Sequence, residues 1–105
     1  MSDVLDRLAA TIAARAGADP TTSHSAALLS KGAAKCAEKF GEEAVEAIVA
    51  AALGDRSALA AEAADVLYHL QIMLAAASVD WAVVLAELER REGTSGLAEK
   101  ASRTT

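Results

Sequence analysis

The side chains best suited to chemistry in this sequence are acidic, and they fall into two evenly spaced pairs. Glu43 and Glu46 are three residues apart, and Glu62 and Asp65 repeat that spacing. Residues three apart in a helix lie on one face about a turn from each other, and Glu42 lies just outside the face of the first pair. If the two pairs met, four carboxylates would repel one another unless a cation lay among them. Ligands that are all oxygen suit a hard ion such as Mg²⁺ or Mn²⁺.

Two long helices joined by a tight turn are predicted to bring these pairs together. The hydrophobic pattern predicts one helix over residues 33–53 and another over residues 57–77, and Gly54 breaks the run between them. An antiparallel hairpin of this kind can set the acidic pairs opposite each other. Two acidic residues on a helix are most often solvated, but Glu62 and Asp65 are, histidine aside, the only charged residues of the second helix. A helix that is apolar nearly all round is normally buried, so these carboxylates need a positive partner.

The rest of the chain is also predicted to be helical, so the expected fold class is an all-α helical bundle around a central antiparallel hairpin. Shorter helices are expected over residues 3–16, 25–30 and 81–91. We expect one domain over residues 1–105, in which 92–105 form a mobile polar tail. A few helices in a chain of this size leave a thin core, so a homodimer that shares apolar helix faces is expected.

The composition limits the classes of function. Apolar residues make up 53% of the 105 residues and aromatic residues only 3%, which is typical of closely packed helices. The net charge of −5 and a pI near 4.9 argue against a nucleic-acid surface but permit a small anionic substrate. The lone Cys36 and an N-terminus without signal-peptide character favour the cytoplasm. The longest apolar stretch, residues 66–77, is interrupted by polar side chains and too short to span a membrane.

Three lysines lead into the first acidic pair and are candidates for contact with phosphate. Lys35 and Lys39 lie one turn apart, although ordinary ion pairing along the helix explains them equally well. Lys31 lies at the start of the helix, where free backbone N–H groups favour an anion. His69, one turn after Asp65, could orient that carboxylate, contact the substrate or simply fill the core.

Three other side chains are interpreted as structural. Tyr68 points away from the line of His69 along the helix and is expected to pack. Trp81 heads the last amphipathic helix and is expected to lie in a core or an interface. Cys36 has no His-Asp arrangement around it in the sequence, and we interpret it as a small buried hydrophobe, not a nucleophile.

The acidic motifs resemble the E-E-x-x-E and E-x-x-D signature of the all-α, MazG-like nucleotide pyrophosphohydrolases. Residues 42–46 read EEAVE, and residues 62–65 read EAAD. Three neighbouring segments, residues 31–43, 65–70 and 91–96, resemble the bacterial phosphoribosyl-ATP pyrophosphohydrolases. That resemblance extends from about residue 25 to residue 103, and it implies an all-α domain. The fused cyclohydrolase found in some relatives is not expected, because 105 residues leave no room for it.

The resemblance implies roles for these residues. Mg²⁺, with Mn²⁺ as a substitute, would be bound by Glu43, Glu46, Glu62 and Asp65. Glu42 would orient water or support the ligands, so the candidate catalytic residues are Glu42, Glu43 and Glu46. Candidate substrate contacts are Lys31, Lys35, Lys39, His69, Arg91, Ser95, Lys100 and Arg103. The implied reaction is hydrolysis of phosphoribosyl-ATP to phosphoribosyl-AMP and pyrophosphate, the second step of histidine biosynthesis, by in-line attack of water.

Two other functions fit the same residues. A house-cleaning nucleoside triphosphate pyrophosphohydrolase would share every acidic position and differ only in its substrate. A non-catalytic helical dimerisation module would carry the acids as a solvated face, and it predicts no effect of divalent metal. Pyrophosphate release measured across a panel of nucleotides separates all three.

Overall fold

The computed structural model describes residues 3–93 together with residues 96 and 100, and in that part of the chain the only regular secondary structure is helical. Residues 3–93 form five helices in the order α1 Val4–Arg15, α2 His24–Ser30, α3 Ala33–Ala52, α4 Arg56–Ala76 and α5 Trp81–Arg91. The all-α class and the central hairpin of α3 and α4 are confirmed. Each predicted helix boundary lies within one residue of the boundary in the structure.

The helix ends follow from local side-chain chemistry. Asp3, Ser23 and Asp55 each accept a hydrogen bond from a backbone N–H three residues on, at 2.9, 3.1 and 3.0 Å, and so cap α1, α2 and α4. Gly54 follows α3 with a φ of +71°, a left-handed conformation that side chains other than glycine rarely adopt. The chain therefore reverses within three residues, and α4 runs back along α3.

A small apolar core joins the hairpin to the first two helices. Ile12 of α1, Leu28 of α2, Cys36 of α3 and Ile72 of α4 are buried against one another. Gln71 of α4 adds a polar tie, because its side-chain amide donates to the carbonyl of Leu5 in α1 at 3.0 Å. These contacts hold α1 and α2 against one half of the hairpin and fix the distance between α3 and α4.

Helix α4 is less buried than its composition predicts. Within the single chain only His69, Gln71 and Ile72 of this helix are buried, so the expectation of a helix enclosed all round does not hold. By length and composition alone α4 could cross a membrane, a criterion that core helices of soluble proteins also meet. The ionisable Glu62 and Asp65 on one side would make a lipid-facing position costly.

Candidate metal centre

The hairpin brings acidic side chains from both long helices to one place. One carboxylate oxygen each from Glu43 of α3 and from Glu62 and Asp65 of α4 lie within 4.8 Å of one another. The Glu43 side chain is only 12% exposed, Glu62 is half-buried and Asp65 is exposed. The cluster is therefore walled on the α3 side and open to solvent beside Asp65, as a site that receives a ligand from solution must be.

Glu62 supplies the strongest sign that this cluster is built for a cation. Its Oε2 atom is buried and has no hydrogen-bond partner among the described residues. A buried carboxylate oxygen without a partner is costly, and the two neighbouring carboxylates add repulsion. A hard divalent cation bound by oxygen ligands would satisfy all three groups, so the residues present fit Mg²⁺ or Mn²⁺.

Glu46 belongs to the same acidic surface but lies outside the group of three. A hydrogen bond shared with Glu43 raises the pKa of Glu46 to about 7, and the charges of Glu43 and Glu62 act in the same direction. The same hydrogen bond lowers the pKa of Glu43, which Lys39 and His69 also favour in its charged form. Without a cation, Glu46 is therefore mostly protonated only below about pH 7, while Glu43 is ionised.

Lys39 stands between two carboxylates at the edge of the cluster. Its Nζ atom lies 3.7 Å from Oε1 of Glu42 and 3.6 Å from Oε1 of Glu43. Lys35, one turn earlier, pairs with Glu38 at 3.2 Å. The three predicted lysines line one groove of about 680 Å³, together with His24, Leu28, Glu38 and Glu42. The structure thus places Lys31, Lys35 and Lys39 along one path that leads to Glu42.

His69 faces a different carboxylate from the one that its position in the sequence indicates. It shares a helix with Asp65, but its Nε2 atom lies 3.8 Å from Oε1 of Glu43 on α3. The residue is only 5% exposed, and burial lowers the pKa of its imidazole. Its Nδ1 atom has no hydrogen-bond partner among the described residues. The histidine therefore connects α4 to the acidic motif of α3.

An aromatic cluster beside His69 was not predicted from the sequence. The His24 ring stacks on Tyr68 at 5.9 Å between centroids, and the Tyr68 ring meets His69 edge-on at 5.1 Å. The Tyr68 hydroxyl lies 2.6 Å from the hydroxyl of Ser25, across 43 positions of sequence. Tyr68 packs, as expected, but its link to α2 depends on tertiary contacts that no local pattern encodes.

The C-terminal candidates lie apart from this cluster or beyond the described residues. Arg91 donates to Glu87 on its own helix at 3.1 Å, and hydrogen bonds from Arg90 and Arg91 lower the pKa of Glu87 to about 2. Lys100 is exposed. Ser95 and Arg103 lie outside the described residues, as does most of the predicted tail.

Two of the residues interpreted as structural have defined surroundings. Cys36 is 1% exposed, its thiol donates to the carbonyl of Leu28 at 3.2 Å, and burial raises its pKa. Trp81 is half-buried at the start of α5, and its indole N–H has no partner among the described residues. Neither side chain lines the lysine groove or the acidic cluster.

Comparison with known proteins places this arrangement in a family. The family model described as phosphoribosyl-ATP pyrophosphohydrolase matches residues 5–92. The chain is 70% identical over 100 residues to a phosphoribosyl-ATP pyrophosphatase of Cereibacter sphaeroides, covering 95% of this chain and 97% of that one. A phosphoribosyl-ATP pyrophosphatase of Dinoroseobacter shibae is 71% identical over 95% of this chain and 98% of its own. One of Rhizorhabdus wittichii is 61% identical over 98% of this chain and 97% of its own.

Proposed function

We propose, because the chain belongs to the phosphoribosyl-ATP pyrophosphohydrolase family, that its acidic cluster binds Mg²⁺ during hydrolysis of phosphoribosyl-ATP. The chain is a hydrolase. The reaction for which its relatives are named splits phosphoribosyl-ATP into phosphoribosyl-AMP and pyrophosphate, the second step of histidine biosynthesis. The non-catalytic dimerisation module is thereby rejected. The observation that supports a metal centre best is the meeting of three carboxylates within 4.8 Å around a buried oxygen without a partner.

The position of each residue in the site suggests its role in the reaction. Glu43, Glu62 and Asp65 would hold the cation, and Glu46 would join them on losing its proton. When bound, Mg²⁺ would neutralise phosphate oxygens and favour in-line attack at phosphorus. Glu42 is exposed beside Lys39 in the lining of the groove, where its carboxylate can orient the attacking water and accept its proton. Candidate contacts for the phosphates are Lys31, Lys35 and Lys39.

A second copy of the chain is the partner that the surface of α3 fits. Val45, Ile48, Val49 and Leu53 are 57, 65, 50 and 78% exposed, and together they form an apolar strip along one helix. This strip is continuous with the site, because a groove of about 350 Å³ holds Val45, Val49 and Leu53 together with Glu46 and Glu62. We infer that a homodimer covers the strip and that the acidic cluster lies beside the interface.

The proposed surroundings follow from the charge and the size of the site. A net charge of −5 suits a small nucleotide whose phosphates meet local lysines, and it disfavours nucleic acid. The groove of about 680 Å³ has the volume of a small-molecule site. A buried, unpaired thiol fits the reducing cytoplasm, where we place this enzyme.

The test is pyrophosphate release from phosphoribosyl-ATP and from a panel of nucleoside triphosphates, with and without millimolar Mg²⁺. We expect Mg²⁺-dependent release that is fastest with phosphoribosyl-ATP, and a loss of more than about 100-fold in Glu62→Gln. Glu89→Gln, which removes an exposed carboxylate from α5, is the matched control and should retain full activity. Equal or faster hydrolysis of ordinary triphosphates would assign the chain to the house-cleaning enzymes instead. Full activity in EDTA would overturn the metal centre.

A further inference from the structure

His69 is a buried ionisable group on α4 that faces Glu43 of the acidic cluster. Two positively polarised groups lie near the same oxygen, Oε1 of Glu43. Lys39 Nζ lies 3.6 Å from it on the side of the groove, and His69 Nε2 lies 3.8 Å from it on the side of α4. The histidine side chain is 6% exposed and that of Lys39 is 40% exposed. The Lys39 ammonium can thus leave the Glu43 carboxylate and contact phosphate or water. The His69 ring can move away from Glu43 only if the core opens.

The surroundings of the ring determine which nitrogen carries the proton. Nε2 faces a carboxylate oxygen at 3.8 Å, and an ionised carboxylate only accepts hydrogen bonds, so we assign the proton of the neutral imidazole to this nitrogen. Nδ1 then keeps its lone pair and remains buried without a donor among the described residues. Tyr68 and His24 pack against the ring edge-on, which limits its rotation.

Packing alone does not explain a buried histidine whose Nδ1 atom has no partner among the described residues. A buried nitrogen without a partner costs free energy that an apolar side chain of similar size would avoid. Contact with substrate is also disfavoured, because 5% exposure leaves almost none of the residue accessible from the groove. What the ring does reach is Glu43, whose side chain is only 12% exposed.

We propose that His69 is a positioning residue for the metal centre, in which its Nε2–H fixes the carboxylate of Glu43 toward Glu62 and Asp65. This inference rests on the proposed function, since it assigns His69 a task at that site. At 3.8 Å the pair is longer than a hydrogen bond, and such contacts often tighten only when the ligand arrives. Hydrogen bonds to a ligating carboxylate typically contribute about 10- to 100-fold in metal affinity.

The experiment compares two substitutions that differ in one donor. His69→Leu fills the space without an N–H, and His69→Gln returns an amide N–H near the position of Nε2. Mg²⁺ and Mn²⁺ binding to the nucleotide-free protein is measured by calorimetry, beside melting curves in EDTA. We expect His69→Leu to bind metal about 10-fold more weakly and to melt in EDTA no lower than wild type, while His69→Gln restores most of the affinity.

Controls separate this role from packing and from substrate contact. Gln71→Met alters a buried polar group on the same helix and should lower the melting temperature without changing metal affinity. Long-range ¹⁵N spectra of the metal-free protein should show His69 protonated at Nε2. Wild-type metal affinity in His69→Leu, or protonation at Nδ1, would overturn the inference. That result would leave the proposed function intact, because the latter fails only if the wild type itself needs no metal.

Discussion

At the scale of single residues, Lys39 shows how one side chain can serve both the resting chain and the substrate. It neutralises Glu42 and Glu43 at 3.7 and 3.6 Å, distances that are long for a salt bridge and leave the ammonium partly hydrated. In the Lys39–Glu42 pair both side chains are exposed, and exposed ion pairs contribute little to stability. The ammonium can therefore turn to a phosphate oxygen at low cost.

We predict that Lys39→Ala lowers kcat/KM for phosphoribosyl-ATP by about 10-fold, the value of one hydrogen bond to a charged group. The free energy of unfolding should change by less than about 0.5 kcal/mol. Steady-state kinetics and urea denaturation measure the two effects. Lys35→Ala, whose lysine pairs with Glu38, is the comparison variant and should lose less activity. Unchanged kinetics in Lys39→Ala would reduce this lysine to a surface ion pair.

Glu46 makes the site sensitive to pH. Its pKa is raised to about 7 in the folded chain from 4.5, so between these values the folded state holds a proton that the unfolded state has lost. The contribution of Glu46 to stability is therefore present below about pH 4.5 and lost as the pH rises to about 7. In the proposed metal centre Glu46 is a ligand, so metal binding would have to remove the same proton, since a ligating carboxylate must be ionised.

We predict that the rise in melting temperature caused by Mg²⁺ is larger at about pH 8 than at about pH 6. At the lower pH the metal competes with the proton on Glu46. Glu46→Gln should bind Mg²⁺ more weakly and lose most of this pH dependence. Melting curves at both pH values, with and without the metal, measure both effects. An equal Mg²⁺ effect at both pH values in the wild type would contradict the assignment of the proton to Glu46.

At the scale of helices, the α3–α4 hairpin sets carboxylates from two elements against each other. Glu62 and Asp65 of α4 face Glu43 of α3 across a distance fixed by the core residues Cys36 and Ile72. Without a cation, packing therefore holds together groups that repel. The carboxylates that would bind a cation thus lower the stability of the metal-free hairpin.

We predict that Glu62→Gln or Asp65→Asn melts at or above the wild-type temperature in EDTA, because one charge of the repelling set is gone. In millimolar Mg²⁺ the order should reverse, since only the wild type retains the full ligand set and gains RT ln(1 + [L]/Kd) from binding. Paired melting curves with EDTA and with Mg²⁺ measure this reversal. Wild-type protein that melts at one temperature in both buffers would show that the carboxylates bind no metal.

The sequence was sufficient for the helices and insufficient for the contacts between them. Hydrophobic periodicity and Gly54 predicted the helix bounds, and the structure adds that Asp3, Ser23 and Asp55 cap three of the helices. The 3-residue spacing also predicted which acids share a face. Local periodicity could not show that His69 reaches Glu43 and not Asp65, because that choice depends on the rotation of α4 against α3. It could not show the exposure of α4 either, since composition alone does not fix which neighbours cover a helix.

At the scale of the whole molecule, the exposed apolar strip on α3 is the feature that a single chain does not explain. Apolar patches of this kind on a soluble protein mark surfaces that bind a partner. The strip lies beside Glu46, so assembly and the site would be adjacent.

We predict a homodimer at micromolar concentration, which Ile48→Glu converts to a monomer because a charge on the strip cannot be buried unpaired. Val4→Glu is the matched control, since Val4 on α1 is equally exposed at 65%. Light scattering gives the mass of each variant, and the pyrophosphate assay its activity. A wild-type chain that is monomeric and fully active would contradict this prediction.

Because Cys36 is buried, its rate of chemical modification reports on local opening of the helices around it. This thiol is the sole cysteine of the chain, and it lies where α2, α3 and α4 meet, 1% exposed. An alkylating reagent in water can reach the sulfur only in molecules whose helices have moved apart, and its reactive thiolate forms only after that. The labelling rate, followed by mass spectrometry, therefore measures how often the native protein opens at this junction. The same rate recorded with Mg²⁺ or nucleotide present would show whether a ligand bound at the hairpin makes opening of the core around Cys36 less frequent.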